Sequence, residues 1–237
     1  RILFLYPGIV QSLGWSYQAH VGRVHMQSVF GSRVRTFYEE SVMESCDVAQ
    51  GGQPDRCASA LTQLYLRPCT SNEERCGVTM VFGFSFGYQD ALYENALQRS
   101  DVVFVHVGGW LTRPNMVQML PRGYQARWLA GKLAGETFVY RMNNGLHPEI
   151  MRSGVLRVGY VAAVPVPEVI RMMNAFQLGV REGLQGVVDV EFATIWINTW
   201  GGERIEKLAS ELLLDRGVDL IAQHSDGAQP QIVARDA

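Results

Sequence analysis

The sequence predicts an α/β protein made of two doubly wound lobes, each a mostly parallel sheet with helices on both faces. Three observations carry this. Apolar strand-like runs alternate with amphipathic segments along the 237 residues. Several runs are uninterrupted rather than alternating, as in VVFVHV, which is how strands covered on both faces read. The strand–helix pattern also begins afresh at Val155, after a polar passage at 142–154. Strand, helix, strand in repetition gives parallel order, because each crossover helix returns the chain to the end of the sheet from which the previous strand started.

Strands are expected at Ile2–Tyr6, Val34–Tyr38, Val78–Phe84, Val102–Val107, Val155–Ala163, Val190–Ile197 and Val218–Ala222. Tyr124–Gly135 (YQARWLAGKLAG) reads as a helix whose small residues allow close packing. Asp90 reads as the cap of another helix. Val169, Met172, Met173, Phe176 and Val180 draw an apolar stripe at helical spacing, with Pro167 suited to the first turn. Ile205, Leu208, Ala209, Leu212 and Leu213 draw a second stripe, stopped by Gly217. These elements divide into a first lobe at 1–153, carrying an insertion at about 44–76 and a crossover helix, and a second lobe at 154–237. The second strand set halts after its third member, so that lobe is expected to be incomplete and the chain to continue past Ala237. The opening ILFLY is already a strand, so any targeting peptide is expected to have been removed or to lie outside this sequence.

Hydrophobic content of 47% with 19% charged residues is that of a globular chain. A formal charge of −2, with the basic residues scattered, gives no electrostatic footprint for nucleic acid. No apolar stretch reaches the roughly 20 residues that cross a bilayer. Cys46, Cys57, Cys69 and Cys76 fall in one polar stretch at spacings of 11, 12 and 7, without a CxxC or a nearby His. That fits no zinc pattern, and His20 and His25, five apart, share no helix face, so neither metal nor cofactor is expected. Clustered cysteines point to one or two disulfides tying down a surface excursion in an oxidising compartment, with reduced cytosolic thiols as the alternative reading. Three pairings are open.

Ligands of open parallel sheets bind outside the carboxyl ends of the strands. The loops leaving those ends here are residues 7–23, Ser85–Asp90, Val164–Val169, Asn198–Glu203 and Gln223–Pro230. They repeat one recipe: an aromatic residue, small polar residues and usually a carboxylate. Trp15, Tyr17, Phe86, Tyr88 and Trp200 stand where core residues would not be expected. The recipe suits a flat ring rich in heteroatoms, stacked on an aromatic face and read along its edge by polar groups. Glu168, just after Pro167, either complements the positive end of a helix or faces the ligand and accepts from a donor such as an amino group; Asp226 admits the same pair of readings, with a surface turn as the plainer one.

Enzyme readings are weaker. GxGxxG and GxxxxGK[ST] are absent, so no dinucleotide or phosphate cradle is expected. GFSFG at 83–87 spells a nucleophile elbow, with Ser85, His224 and either Asp226 or Glu168 as a conceivable hydrolase triad, but Asp226 follows His224 against the usual chain order. His106 reads as a satisfied buried histidine.

GWSYQAHVGR, FSFGYQD, YQARWLAG, the stretch 158–180, WINTW and DLIAQHSD, in this order, resemble the basic membrane protein family of substrate-binding proteins, to which the purine nucleoside receptor lipoproteins of ABC importers belong. The resemblance implies a type I periplasmic-binding-protein fold, two lobes closing on a purine nucleobase or nucleoside in the inter-lobe cleft, without catalysis. It implies that Trp15 and Trp200 sandwich the purine, that Ser85 and Phe86 lie in the first-lobe loop after its third strand, and that Glu168, Asn198 and Asp226 face the cleft from the second lobe. Tyr17, Gly87 and Gln223, in the same loops, complete the expected ligand-binding set. The first loop lacks the FND-type pattern that holds a ribose, which favours an adenine-like free base. An extracytoplasmic location, an anchor outside this chain and an ABC-transporter permease as partner follow from the same resemblance. The four-cysteine segment stands where the family has a compact helix, and raises the alternative of a receptor ectodomain with an attached signalling domain.

Overall fold

The computed structural model describes residues 1–11, 14–70, 73–146 and 154–237. It divides into two compact units, Arg1–Pro121 and Arg122–Ala237. The boundary expected at residue 153 lies outside the described residues.

The first unit contains β1 (Ile2–Leu5), α1 (Trp15–Phe30), β2 (Thr36–Glu39), α2 (Ala58–Leu66), β3 (Met80–Gly83), α3 (Gln89–Gln98), β4 (Val103–Val107) and β5 (Met116–Met119). Its sheet is wholly parallel, in the order β2-β1-β3-β4-β5. Every residue of β1 is buried, because successive side chains enter two separate layers. Leu3 and Leu5 join Leu61, Tyr65, Tyr88, Leu92 and Phe104 on one face. Ile2, Phe4 and Tyr6 join Phe82 and Phe84 on the other, where Phe4 stacks on Phe82 at 4.8 Å. The sequence did not announce β5. It is a four-residue edge strand, MVQM, beside β4, too short and mixed to show a period.

The cysteine segment departs from the expected surface excursion. Its two disulfides join near neighbours, Cys46–Cys57 and Cys69–Cys76, with Cα separations of 5.0 and 5.1 Å. Between them α2 is a core helix. Ala58, Leu61, Thr62, Tyr65 and Leu66 are buried at helical spacing, and Cys57 and Cys76 are fully buried. The Tyr65 hydroxyl donates to Glu39 at 2.7 Å.

The second unit contains α4 (Gly123–Asn143), β6 (Val155–Ala162), α5 (Pro167–Leu184), β7 (Asp189–Trp196), α6 (Glu203–Asp215), β8 (Leu220–His224) and α7 (Gln229–Asp236). Its three strands are parallel, in the order β7-β6-β8. Pro167 occupies the first turn of α5 and Gln185 ends it in the left-handed conformation, while Gly217 (φ +73°) follows α6. α4 packs along α5 through glycines that face each other's backbone. A Cβ on Gly131 would lie 2.1 Å from the Phe176 carbonyl oxygen, and one on Gly179 would lie 2.1 Å from that of Trp128. The expected crossover helix therefore belongs to the second unit.

Candidate functional site

The crevice of a doubly wound sheet opens where strand order reverses direction. That point lies between β1 and β3 in the first unit and between β6 and β8 in the second. Of the predicted ligand residues, Ser85, Phe86 and Gly87 follow β3, Trp15 and Tyr17 lie on α1 after β1, Glu168 follows β6, Gln223 ends β8 with Asp226 just after it, and Asn198 and Trp200 follow the edge strand β7.

In the first unit, Trp15 opens α1 and its indole N–H donates to the Phe84 carbonyl at the end of β3. The Gly8 N–H donates to Ser16 Oγ at 3.0 Å, so the loop after β1 and the start of α1 are held against the tip of β3. Ser85 leaves β3 in ordinary extended backbone, φ −142° and ψ 142°. Its hydroxyl donates to Glu44, and its carbonyl accepts from His106 Nε2 at 2.7 Å. The Phe86 ring lies 5.3 Å from Trp110, tilted by 52°. Gly87 sits beneath the Glu44 carboxyl group, where a Cβ would come within 2.2 Å of Cδ. Tyr17 is half-buried and lies two positions after Trp15, about 200° round the helix, so the two do not make one aromatic wall.

The hydrolase geometry is not met at Ser85. A nucleophile elbow is a strained turn with an imidazole on the hydroxyl; here the backbone is extended and the partner is a carboxylate. α3 begins at Gln89, directly after a 3-10 turn at Phe86–Tyr88, and not after Asp90. His106 is buried as expected but only half satisfied, since its Nδ1 has no hydrogen-bond partner among the described residues. Burial pushes its pKa down.

In the second unit, the Asp226 N–H donates to the Trp200 carbonyl at 2.8 Å, tying the loop after β8 to the loop after β7. Trp200 is partly buried against the core of this unit. Asn198 is exposed and holds φ +54°, a left-handed conformation that asparagine tolerates better than most residues. Glu168 lies in the first turn of α5, with its Oε1 4.0 Å from His224 Nε2. Burial pushes the Glu168 carboxyl up, partly offset by Arg171. Burial, reinforced by the Arg127 guanidinium, pushes His224 down to about 4, so the imidazole is neutral near pH 7 and the contact is no ion pair. Gln223 Nε2 donates to the carbonyls of Ser225 and Gly227. Its Oε1 is buried without a partner among the described residues, as are Ser225 Oγ and Glu206 Oε2.

The sequence reading passed over three residues here. Glu44 sits in the cysteine segment, and Trp110 is 64% exposed in the loop after β4. Glu206 is fully buried on α6, and its Oε1 accepts from the Gly227 N–H at 2.8 Å. A glutamate within an apolar helical stripe was the available signal.

Asp226 keeps a solvent-exposed edge, yet the protein packed around it, then the Glu206 and Glu168 charges, push its carboxyl up to about 6. A carboxyl raised in the fold stabilises at low pH, and that contribution is lost as pH rises from 3.8 through about 6. Asp226→Asn is therefore expected to melt above the wild type at pH 8, with no such gain at pH 4. Lower melting of the variant at both values would show that the carboxylate is not held against its neighbours. Among the described residues, no group of three or more His, Cys, Asp or Glu side chains is placed to hold a metal ion.

Comparison with known proteins adds to this geometry. A family model for Bmp, described as ABC transporter substrate-binding protein PnrA-like, matches residues 1–236. The chain is 30% identical over 236 residues to a purine-binding protein of Brucella abortus, covering 100% of this chain and 57% of that protein. It is 37% identical over 160 residues to a putative ABC transporter glucose-binding protein, TsgA13, of Haloferax volcanii, covering 68% of this chain and 36% of that protein. The chain thus spans little more than half the length of the first relative and about a third of the second. Among solved structures, an ABC transporter system solute-binding protein from Aeropyrum pernix K1 superposes with a TM-score of 0.71 at 17% identity, over 99% of this chain and 58% of that one.

Proposed function

The chain belongs to the Bmp family of PnrA-like ABC transporter substrate-binding proteins, and from that premise we propose that it binds a purine, adenine-like rather than a nucleoside, for delivery to an ABC importer. The family and the fold are those of substrate-binding proteins rather than enzymes. One observation supports the purine reading: the tips of β6 and β8 bring acceptors together, and one of them, Gln223 Oε1, is buried without a partner among the described residues. Glu168, Asp226 and the unpartnered Gln223 Oε1 stand beside the Trp200 loop. An N–H-bearing ring edge would supply a donor to Gln223 Oε1, whose burial without a partner is costly, and donors to the two carboxyls beside it.

Trp15, Tyr17, Ser85, Phe86 and Gly87 form the first unit's part of the proposed set, with Glu168, Asn198, Trp200, Gln223 and Asp226 the second unit's. An extracytoplasmic location accords with the two disulfides. Among the described residues no helix is long and apolar enough to cross a membrane; the proposed anchor lies outside this chain.

A thermal-shift screen tests the reading. Ligand at 100 times its dissociation constant adds about 2.7 kcal/mol of stability. Adenine or a related purine is expected to raise the melting temperature. Glucose belongs in the same screen, because the Haloferax relative is named for it. A shift with glucose and none with any purine overturns the assignment.

A further inference from the structure

We propose that Glu44 is a further ligand-binding residue of the first unit, held in position by the Cys46–Cys57 disulfide; the inference rests on the purine reading above. Glu44 follows β2 and reaches the carboxyl end of the sheet, where the Ser85–Gly87 loop leaves β3. Ser85 Oγ donates to its Oε1, and the carboxyl group lies over Gly87, whose missing Cβ provides the seat. The residue is exposed, and among the described residues no donor is hydrogen-bonded to Oε2. A carboxylate fixed at one oxygen and open at the other is an acceptor for a single ligand N–H or O–H.

An exposed glutamate ordinarily spreads over many rotamers, and ordering it on binding is unfavourable. Here the ordering is done in advance. The Met43 N–H donates to the Arg56 carbonyl at 3.0 Å, and the Ala58 N–H donates to the Met43 carbonyl at 3.0 Å. On the other side, Cys46 is bonded to Cys57, the residue preceding α2. Both flanks of Glu44 are thereby fastened to the start of a core helix. Preorganisation of this kind raises affinity by removing an ordering cost.

Isothermal titration of adenine and adenosine into wild type, Glu44→Gln, the Cys46→Ser/Cys57→Ser pair and the triple variant tests the proposal. A charge-assisted hydrogen bond lost by Glu44→Gln is expected to weaken binding roughly tenfold or more. An effect with both ligands places the donor on the base, and one with adenosine alone places it on the ribose. The disulfide pair is expected to weaken binding less, and to add little on top of Glu44→Gln, since it acts through that side chain. Should the pair fail to fold, Cys46→Ala/Cys57→Ala replaces it, with the same non-additivity expected. Glu44→Gln protein that binds both ligands as tightly as wild type overturns the proposal, and additive effects overturn the role given to the disulfide. Wild type that binds no purine removes the functional reading and this inference with it.

Discussion

Gly131→Ala is expected to destabilise the protein, whereas Gly22→Ala is expected to stabilise it, although both place alanine inside a helix. Alanine in a helix interior is favoured over glycine by roughly 0.5–1 kcal/mol. At Gly22, exposed on α1, a Cβ meets nothing within 4 Å, so that gain should appear undiminished. At Gly131 the same atom would lie 2.1 Å from the Phe176 carbonyl oxygen and 3.0 Å from the Val180 nitrogen. These are backbone atoms that cannot turn aside. α4 and α5 would have to separate, and the neighbouring contacts at Gly135, Gly179 and Gly183 would open with them, because a Cβ at each of these also meets the facing helix's backbone at 2.1–2.6 Å. Overpacking costs about 1–3 kcal/mol, and here it acts along a whole helix pair, so a net loss of about 2 kcal/mol or more is expected. At this chain length each kcal/mol moves the melting temperature by about 2–4 °C. Equal increases for both variants in a melting experiment would show that the two helices are not in backbone contact.

Trp15→Ala and Trp200→Ala are each expected to weaken purine binding by about 5- to 150-fold, the equivalent of the 1–3 kcal/mol that a base–aromatic stack contributes. Trp15→Phe separates stacking from anchoring. It keeps an aromatic face but loses the indole N–H that donates to the Phe84 carbonyl. A mild effect for Phe beside a large one for Ala assigns the contribution to the ring. Trp110→Ala is the comparator, since Trp110 is the more exposed ring and lies against Phe86. If that variant loses binding while Trp15→Ala keeps it, the first unit's stacking surface is the Phe86–Trp110 pair. Titration calorimetry with adenine distinguishes these outcomes.

The strands that read most clearly were those buried on both faces. β1 and β4 lie inside their expected runs, because a largely buried strand is apolar almost throughout, with the buried His106 the one polar residue in β4. β5 was missed for the converse reason, an edge of four residues having neither length nor alternation. α2 was legible and still overlooked. Its apolar residues at 58, 61, 65 and 66 have helical spacing, but four cysteines in polar surroundings drew the reading towards a surface loop.

Local pattern alone determined the alternation of strands and helices, the proline start of α5 and the stop after α6, since each depends on residues within a turn or two of one another. It also marked which loops carry aromatic and acid side chains. Tertiary structure decided how those loops combine. Strand order placed the β1/β3 and β6/β8 tips at the reversal points of their sheets. It brought Glu44 from the cysteine segment onto Ser85, and set Glu206 behind Asp226, 20 positions further along the chain. Electrostatic repulsion and hydrogen bonding depend on distance in space, and sequence separation does not reveal that distance until the crossovers have folded.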